Sequence, residues 1–427
     1  MPPQVDSSLL SVFLESNPGV KFIHYQFVDL GGVLREMIVV AAEAMVHASE
    51  NKPHNVGCVP LRMLPNGHFS PRFVGVGKEY LWPDWSSLRL ARFIGNGKTH
   101  ALVMCFVDEG MAAGNVYTGT ISCPRSILKR AMESAKSDGL EFLIGFETEF
   151  VLLDKTRSDL EPTGITAPTS WCVAAAMQHD GVSGVGAYEF VTAPTSTMEA
   201  IDEQIYIRQA IQTISRRCGF RATLYPAPFG AGSTNGAHCH LSINNPTVEL
   251  ANNFLAGVLE RLPALCAFTL PVHDSYYRVS ELKGQTGKWV AWGTENKDLP
   301  IRGILNRVGY WEFRSADYTA NTYLQLAAWL TAGHLGVQEK IKLRWKDCDV
   351  LLAFCTAEQI AALEVDTLMP ASLGESLKAL QQAIDERKLL PLGEEFLNEF
   401  IVHKRAEDEI FTKMPELERR QLFTTIW

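Results

Sequence analysis

Two glutamates stand two residues apart in an apolar run, Leu143-Ile144-Gly145-Phe146-Glu147-Thr148-Glu149-Phe150-Val151. On a strand, alternate side chains share a face, so Glu147 and Glu149 point the same way. Two such carboxylates in apolar surroundings repel unless a cation sits between them. An exposed strand face with two solvated acids would have the same spacing. The run Gly186-Ala187-Tyr188-Glu189-Phe190-Val191 holds a third acid in an apolar strand, a pattern that a surface acid also satisfies. Further on, Asn235-Gly236-Ala237-His238-Cys239-His240-Leu241-Ser242 puts His238, His240 and Ser242 on one strand face. The glycine-rich approach from Phe229 to Gly232 lets a ligand come near the backbone. A His pair of this kind is a metal site, a metal ligand beside a phosphate contact, or a hydrogen-bonded core pair. In Tyr310-Trp311-Glu312-Phe313-Arg314 an acid and a base share a strand face. Arg278, Lys297, Arg302 and Arg314 form a cationic set, and guanidinium forks suit carboxylate and phosphate oxygens. Any one of them alone also fits an ordinary surface salt bridge.

Taken together, carboxylates plus His offer hard-cation ligation, with Mg²⁺ or Mn²⁺ favoured over zinc because no thiolate motif is present. Cations around such a metal point to polyphosphate handling. The sequence has no Walker A segment and no kinase glycine-rich loop, which disfavours a P-loop fold.

These residues need strands to hold them, and the pattern supplies strands and long helices. Residues 6–16 read as a short helix. Val20–Asp29 and Val33–Val40 are β-rich runs joined at Leu30-Gly31-Gly32, a hairpin signal, and helix Ala41–Ala48 follows. One hairpin face would carry Val20, Phe22, His24 and Gln26, the other Ile23, Tyr25 and Phe27. Short strands continue to residue 107, and the small-residue stretch 109–123 reads as a linker. Pro124 opens a helix that closes between Ser137 and Gly139. Strands are expected over Leu140–Leu153, Gly219–Tyr225 and His238–Ile243. Helices are expected over Thr197–Cys218, Asn252–Ala267, Asn321–Arg344, Leu373–Arg387 and Glu394–Lys413. In the helix from Thr197, one stripe is Ile207, Ile211, Ile214 and Cys218, with Ile201 and Ile205 at a neighbouring angle. The fold class is α+β, with a small domain over 1–115 and a large one over 116–427.

Composition narrows the function classes. The 427 residues carry 39 Lys+Arg and 48 Asp+Glu, a net charge of −9 with His neutral. That balance argues against non-specific nucleic-acid binding, which needs a basic face. Nine cysteines are scattered with no Cys-x-x-Cys pair, so a disulfide framework or structural zinc site is not expected. Neither a signal peptide nor a transmembrane run is apparent, and a cytoplasmic location without membrane partners is expected.

At these residues the sequence resembles the glutamine synthetase superfamily over nearly its whole length. The family's N-terminal β-grasp domain is similar to VKFIHYQFVDLGGVLREMIV, and the opening of its catalytic domain to CPRSILKRAM. Its glutamate strand resembles GFETEF, its His strand NGAHCHLSI, its arginine segment VAWGTENKDLPIR, and its last metal segment WEFRSADYTANTYLQLAAWLTAG. RATLYPAPFGAGSTNGAHCHLSI and KWVAWGTENKDLPIRGI most resemble FluG-type fungal glutamine-synthetase-like proteins; the amidohydrolase half found upstream in those proteins is not expected here.

The resemblance implies an N-terminal β-grasp domain and a glutamine synthetase-type catalytic domain. It implies Mg²⁺ or Mn²⁺, with one ion at Glu149 and Glu189 and another at Glu147, His238 and Glu312. His240 and Ser242 would approach ATP, and Lys297 and Arg302 would meet its phosphates. Arg278 and Arg314 would meet the substrate carboxylate and the transferred phosphoryl group, with Asn235 and Gly236 beside the substrate. The implied reaction makes an acyl phosphate that an amine converts to an amide, in a ring-type homo-oligomer with active sites between subunits.

Departures from the family pattern also carry information. The family has a further metal-site Glu eight residues before the position of Glu189, where this chain has Gly181 beside Asp180. The loop that supplies an Asp for ammonium reads Asn55-Val56-Gly57-Cys58-Val59-Pro60, with no acid. The flap Glu expected after Arg278 is replaced by Gly284-Gln285-Thr286, and two family arginines are Lys297 and Tyr310. These losses favour an organic amine over ammonium. A non-catalytic regulatory relative and an authentic glutamine synthetase are the competing expectations. The C-terminal Phe423 and Trp427 are expected to pack between subunits.

Overall fold

A computed structural model describes residues 6–57, 60–71, 77–108, 111–112, 116–117, 122–154, 177–178, 187–229, 234–280 and 286–427. The first part runs α1 (Ser8–Ser16), β1 (Phe22–Val28), β2 (Leu34–Val40), α2 (Ala41–Ser49), β3 (His54–Gly57), β4 (Lys78–Pro83), β5 (Arg89–Leu90) and β6 (His100–Asp108). Its sheet has the order β2-β1-β6-β4-β3, with β5 also on β6. The hairpin read from the Gly-Gly turn is present, with Phe22 opposite Val40 and Val28 opposite Leu34. β1 then lies parallel to β6, as the arrangement of a β-grasp requires. β1 is buried from Ile23 to Val28, so of its even positions only Phe22 reaches solvent. His24 and Gln26 are buried there with partners: His24 Nδ1 lies 3.0 Å from Glu36, and Gln26 donates to Glu36 at 2.9 Å and to Gln209 at 2.7 Å.

A two-stranded hairpin of β7 (Met111–Ala112) and β8 (Val116–Tyr117) lies in the stretch read as linker. The larger part follows with α3 (Pro124–Ser137), β9 (Phe142–Asp154), β10 (Met177–Gln178), β11 (Ala187–Val191), β12 (Thr195–Ser196), α4 (Thr197–Arg217), β13 (Phe220–Thr223), β14 (Ala237–Ile243) and α5 (Val248–Thr269). A six-residue 3₁₀ helix, His273–Arg278, precedes β15 (Trp292–Thr294), β16 (Ile301–Gly303) and β17 (Tyr310–Phe313). The chain ends with α6 (Thr322–Gln338), α7 (Ala357–Ala362), α8 (Leu373–Asp385), α9 (Glu394–Lys413) and α10 (Glu416–Ile426). The main sheet has the order β10-β11-β9-β14-β17-β16-β15, with β12 and β13 also on β9. Among the described residues no helix is long and apolar enough to cross a membrane.

The period-two pattern explains the sheet's two faces. Phe142, Ile144, Phe146 and Phe150 of β9, Cys239 and Leu241 of β14, and Trp311 and Phe313 of β17 enter one hydrophobic core with α5 and α6. The intervening positions, Glu147, Glu149, His238, His240 and Glu312, therefore share the opposite face. α5 and α6 cross closely because Gly257 and Gly336 meet there: a Cβ on Gly257 would lie 2.6 Å from the Gly336 Cα.

Three expectations need correction. α6 stops at Gln338 rather than Arg344, because Lys340 adopts φ 52 and Ile341 N–H turns back to the Gly336 carbonyl at 2.9 Å. On α4 the buried face is Ala200, Ile201 and Ile205; of the other stripe Ile211 packs against the same core, but the stripe does not stay buried to its end, since Ile214 is 50% exposed. Phe423 and Trp427 do not await a neighbouring subunit. They are 0% and 1% exposed, packed with Tyr225, Val272 and Phe411 of the same chain.

The two parts meet through polar contacts on α9 and α3. Arg62 pairs with Glu399, and Arg125 bridges Asp84, at 2.7 Å, and Asp202. Asp29, at the β1–β2 turn, is fully buried, accepts from Arg35 Nε at 2.8 Å, and gives its backbone carbonyl to Asn321 at 2.7 Å. Burial outweighs the nearby Arg35 and His403 and raises the Asp29 carboxyl from 3.8 to about 6. A raised acid binds its proton more tightly in the folded state, so its contribution to stability falls as pH rises from about 4 to about 6 and is flat above. Two pH units correspond to about 3 kcal/mol. Urea titrations of wild type and Asp29→Asn across this window should diverge by that order, with wild type alone showing the falling contribution. Parallel curves would remove Asp29 from the account.

Candidate active site

Adjacent strands lay the ionisable residues in a staircase across the sheet. Glu189 of β11 sits opposite Glu149 of β9, and Glu147 sits opposite His238 of β14. His240 is then opposite Glu312 of β17, which in turn is opposite Arg302 of β16. Each step follows from one strand's register against the next, so the hydrophobic face that fixes register also aligns the site.

Glu147 lies at the centre. Its Oε2 is 3.0 Å from His238 Nδ1 and its Oε1 is 2.8 Å from His240 Nε2. Burial opposes its ionisation, but the hydrogen bonds to His238 and His240 prevail and hold its carboxyl well below the usual carboxylate range. His240 is raised in return: burial works against its charge, and Glu147 more than offsets that. His238 Nδ1 also comes within 3.4 Å of Glu312 Oε1 and 3.8 Å of Glu149 Oε1. Glu312 is buried and gripped from both sides, by Arg314 Nη1 and by Arg302 Nη1 at 2.8 Å. Burial pushes its carboxyl up, and Arg314, His238 and Arg302 together bring it down.

The surroundings orient these groups. Gly236 N–H donates to Glu149 Oε2. Arg278 is buried, with Nη2 donating to the Arg314 carbonyl at 3.2 Å and Nη1 to Thr234 at 3.5 Å. Thr286 ties to the Arg278 carbonyl at 2.8 Å. Asn235 turns its amide nitrogen to the Tyr225 carbonyl at 2.9 Å, so it holds the loop in shape. Ser242 is half-buried further along β14, and Lys297 is exposed. Gly181 and Asp180 fall outside the described residues, as do Gly284 and Gln285.

Three neighbours of the site carried no assigned role in the sequence. Tyr310 Oη lies 2.9 Å from His240 Nδ1. Its place two residues before Glu312 on one strand face is a signal that period-two reading contains. Tyr318 Oη donates to the Glu147 carbonyl at 2.9 Å, and Arg302 Nη2 donates to Glu295. No local pattern points to either.

The donor set fits a divalent cation. Glu147, His240 and Glu312 each offer a ligand atom, all within 4.8 Å of one another. His238 turns Nδ1 toward Glu147, Glu149 and Glu312, so that nitrogen is placed to join a ligand set, while its buried Nε2, on the Gly236 side, has no hydrogen-bond partner. The absence of thiolates favours a hard ion.

Gly236 makes the packing around His238 and Arg278 testable. A Cβ there would lie 2.6 Å from His238 Nε2 and 2.8 Å from Arg278 Nη2. Gly236→Ala should displace both side chains, lowering turnover about 10²-fold while costing about 1–3 kcal/mol of stability. Wild-type kinetics in that variant would show that neither side chain needs its present position.

Residues 121–172 and 169–422 match the glutamine synthetase catalytic domain family. The chain belongs to the glutamine synthetase family. Protein fluG of Emericella nidulans is 33% identical to it over 97% of this chain and 50% of that protein. The gamma-glutamylpolyamine synthetase GlnA3 of Streptomyces coelicolor is 29% identical over 52% of this chain and 56% of that protein. The chain thus spans about half the length of FluG. A crystal structure of a novel glutamine synthase homolog shares the fold, with a TM-score of 0.78 at 22% identity over 96% of this chain and 99% of that one.

Proposed function

We propose that this chain is an ATP-dependent carboxylate–amine ligase that forms an amide through an acyl phosphate. It would join glutamate or a similar acid to an organic amine. One observation carries the reading: Glu147, Glu149, His238, His240 and Glu312 share one sheet face with Arg302, Arg314 and Arg278 around them. Acids and His at the centre, with guanidiniums outside, are what a site handling a polyphosphate and a carboxylate needs.

Mg²⁺ or Mn²⁺, held by Glu147, Glu149, Glu189, His238 and Glu312, would neutralise charge on the phosphoryl oxygens. Arg278 and Arg314 bind the substrate carboxylate and then the phosphoryl oxygens. Arg302 and Lys297 bind the ATP phosphates, and His240 and Ser242 approach the nucleotide. The substrate carboxylate attacks the γ-phosphorus and ADP leaves. The amine then attacks the acyl carbon and phosphate leaves. Held donors aimed at developing charge supply most of such a rate enhancement.

The amine reading is supported by β3, where Asn55-Val56-Gly57 stands in place of an acid-bearing ammonium loop. The similarity to a gamma-glutamylpolyamine synthetase supports it too. The same reading includes domains over 1–115 and 116–427, a cytoplasmic location, and a ring-type homo-oligomer with sites between subunits.

The test is phosphate release from Mg·ATP with glutamate across a panel of amines, alongside ammonium and hydroxylamine. The reading expects release with at least one organic amine and weak response to ammonium. Saturation by ammonium with strong hydroxamate formation would return the chain to glutamine synthesis. No release with any pair, and no ATP binding by calorimetry, would end the ligase reading.

A further inference from the structure

A second cluster of ligand-type side chains lies in the N-terminal part and shares no residue with the catalytic face. Glu43 and His47 are four apart on α2, and side chains at that spacing lie over one another on a helix. The chain then turns back tightly. Glu50 N–H bonds the Val46 carbonyl at 3.0 Å, Lys52 N–H bonds the His47 carbonyl at 2.8 Å, and Asn51 takes the left-handed conformation at φ 47. That turn delivers His54, the first residue of β3, to the same face of the helix.

The three side chains converge. His47 Nε2 is 3.7 Å from Glu43 Oε1, and His54 Nδ1 is 3.7 Å from the same oxygen. One ligand atom from each lies within 4.8 Å of the other two. Ligands about 2.0–2.2 Å from a shared tetrahedral ion stand roughly 3.4 Å apart, so the two Glu43–imidazole distances are each a few tenths of an ångström from that spacing.

An independent contact fixes which nitrogen faces the cluster. Tyr25 of β1 is fully buried, and its hydroxyl is 3.0 Å from His47 Nδ1. With Nδ1 engaged there, Nε2 is left for the Glu43 side, and a partner on the second ring nitrogen is the usual companion of a metal-bound imidazole. The Tyr25 ring also meets the His54 ring edge-on at 5.9 Å and Trp85 at 5.9 Å, so a rigid aromatic floor holds both imidazoles. The side chains of His47 and His54 are 12% and 19% exposed and that of Glu43 is 51%, which leaves the cluster reachable from solvent and open at a fourth position.

We propose that Glu43, His47 and His54 form a binding site for a zinc-class divalent cation. Two imidazoles and one carboxylate favour Zn²⁺ or Co²⁺ over Mg²⁺ or Ca²⁺, which prefer all-oxygen sites. A bound ion would clip α2 to edge strand β3 and so brace the N-terminal sheet.

The full chain is titrated with ZnCl₂ by calorimetry in excess Mg²⁺, which occupies hard-cation sites, and with CoCl₂ by visible absorption. Wild type should bind one more Zn²⁺ per chain than His47→Ala or His54→Ala, and only wild type should show the corresponding Co²⁺ bands. Tyr25→Phe should keep the stoichiometry and lose about 10–100-fold in zinc affinity, the usual cost of removing an orienting partner. Zinc should raise the melting temperature of wild type and not of the His variants. If an alanine variant does not fold, His54→Gln with the same readouts replaces it. Equal zinc stoichiometry and equal Co²⁺ spectra in wild type and folded variants would overturn the proposal.

Discussion

Replacing Glu147 by Gln should lower Mg·ATP-dependent phosphate release by about 10³-fold, the scale of losing one preorganised electrostatic contact at a reacting centre. The physical reason is the two-sided grip on this carboxylate. Both oxygens are engaged, one with His238 and one with His240. A Gln of the same size can face only one of them with an oxygen and turns an N–H toward the other. The charge that draws the two imidazoles together is lost as well. Loss of this charge should also cost stability, because a carboxyl held well below its usual range stabilises the folded state in its ionised form, and relief of repulsion from Glu149 and Glu312 offsets only part of that. A melting temperature below wild type in a chain that still folds, with release at background, is therefore the expected pair of results. Activity near wild type would remove Glu147 from the centre of the site.

Much of that centre was legible because strand periodicity is strict. In β9, β14 and β17 the residues alternating with the ionisable ones are buried and, apart from Thr148, apolar, so the ionisable residues had to share a face. The hairpin at Gly31-Gly32 and the bounds of α9 were legible for similar reasons, a turn signal in one case and a long amphipathic run in the other. What escaped the sequence lies in contacts between distant segments. Nothing near Phe423 or Trp427 says that the last helix folds back onto Tyr225, so two exposed-looking aromatics read as an interface. The end of α6 was missed because the sequence from Glu339 stays helix-compatible, and a single left-handed lysine stops it. Arg125 reaching Asp84 and Asp202 is likewise a matter of tertiary placement.

The same long-range folding makes Arg419 the residue with the largest expected effect on stability. Arg419 of α10 and Asp274 are both buried, 145 positions apart, and joined by Nε and Nη2 contacts of 3.1, 3.0 and 2.7 Å. The remaining guanidinium hydrogens cap the α9 end, reaching the carbonyls of Phe411 at 3.1 Å and Met414 at 3.2 Å. Tyr225 donates its hydroxyl to Asp274 from the other side. Arg419→Ala would leave Asp274 as an unpaired buried charge, which costs about 3–5 kcal/mol when one partner of such a pair is removed. Arg419→Lys should recover little, since a single ammonium cannot reproduce the fork across Asp274 and two carbonyls. Asp274→Asn added to Arg419→Ala should restore part of the loss, because the stranded charge goes with it. A coupling of about 1–3 kcal/mol is the expected scale for groups in direct contact.

The brace also reaches the active site, because Asp274 shares its 3₁₀ helix with Arg278, and the Tyr225 carbonyl holds Asn235 beside Gly236. At temperatures where Arg419→Ala remains folded, KM for the acid substrate should therefore rise more than kcat falls. Urea denaturation and initial-rate kinetics on the same preparations read both effects. A loss below about 1 kcal/mol would rank the pair with exposed ion pairs, and unchanged KM would mean that Arg278 is held without help from the last helix.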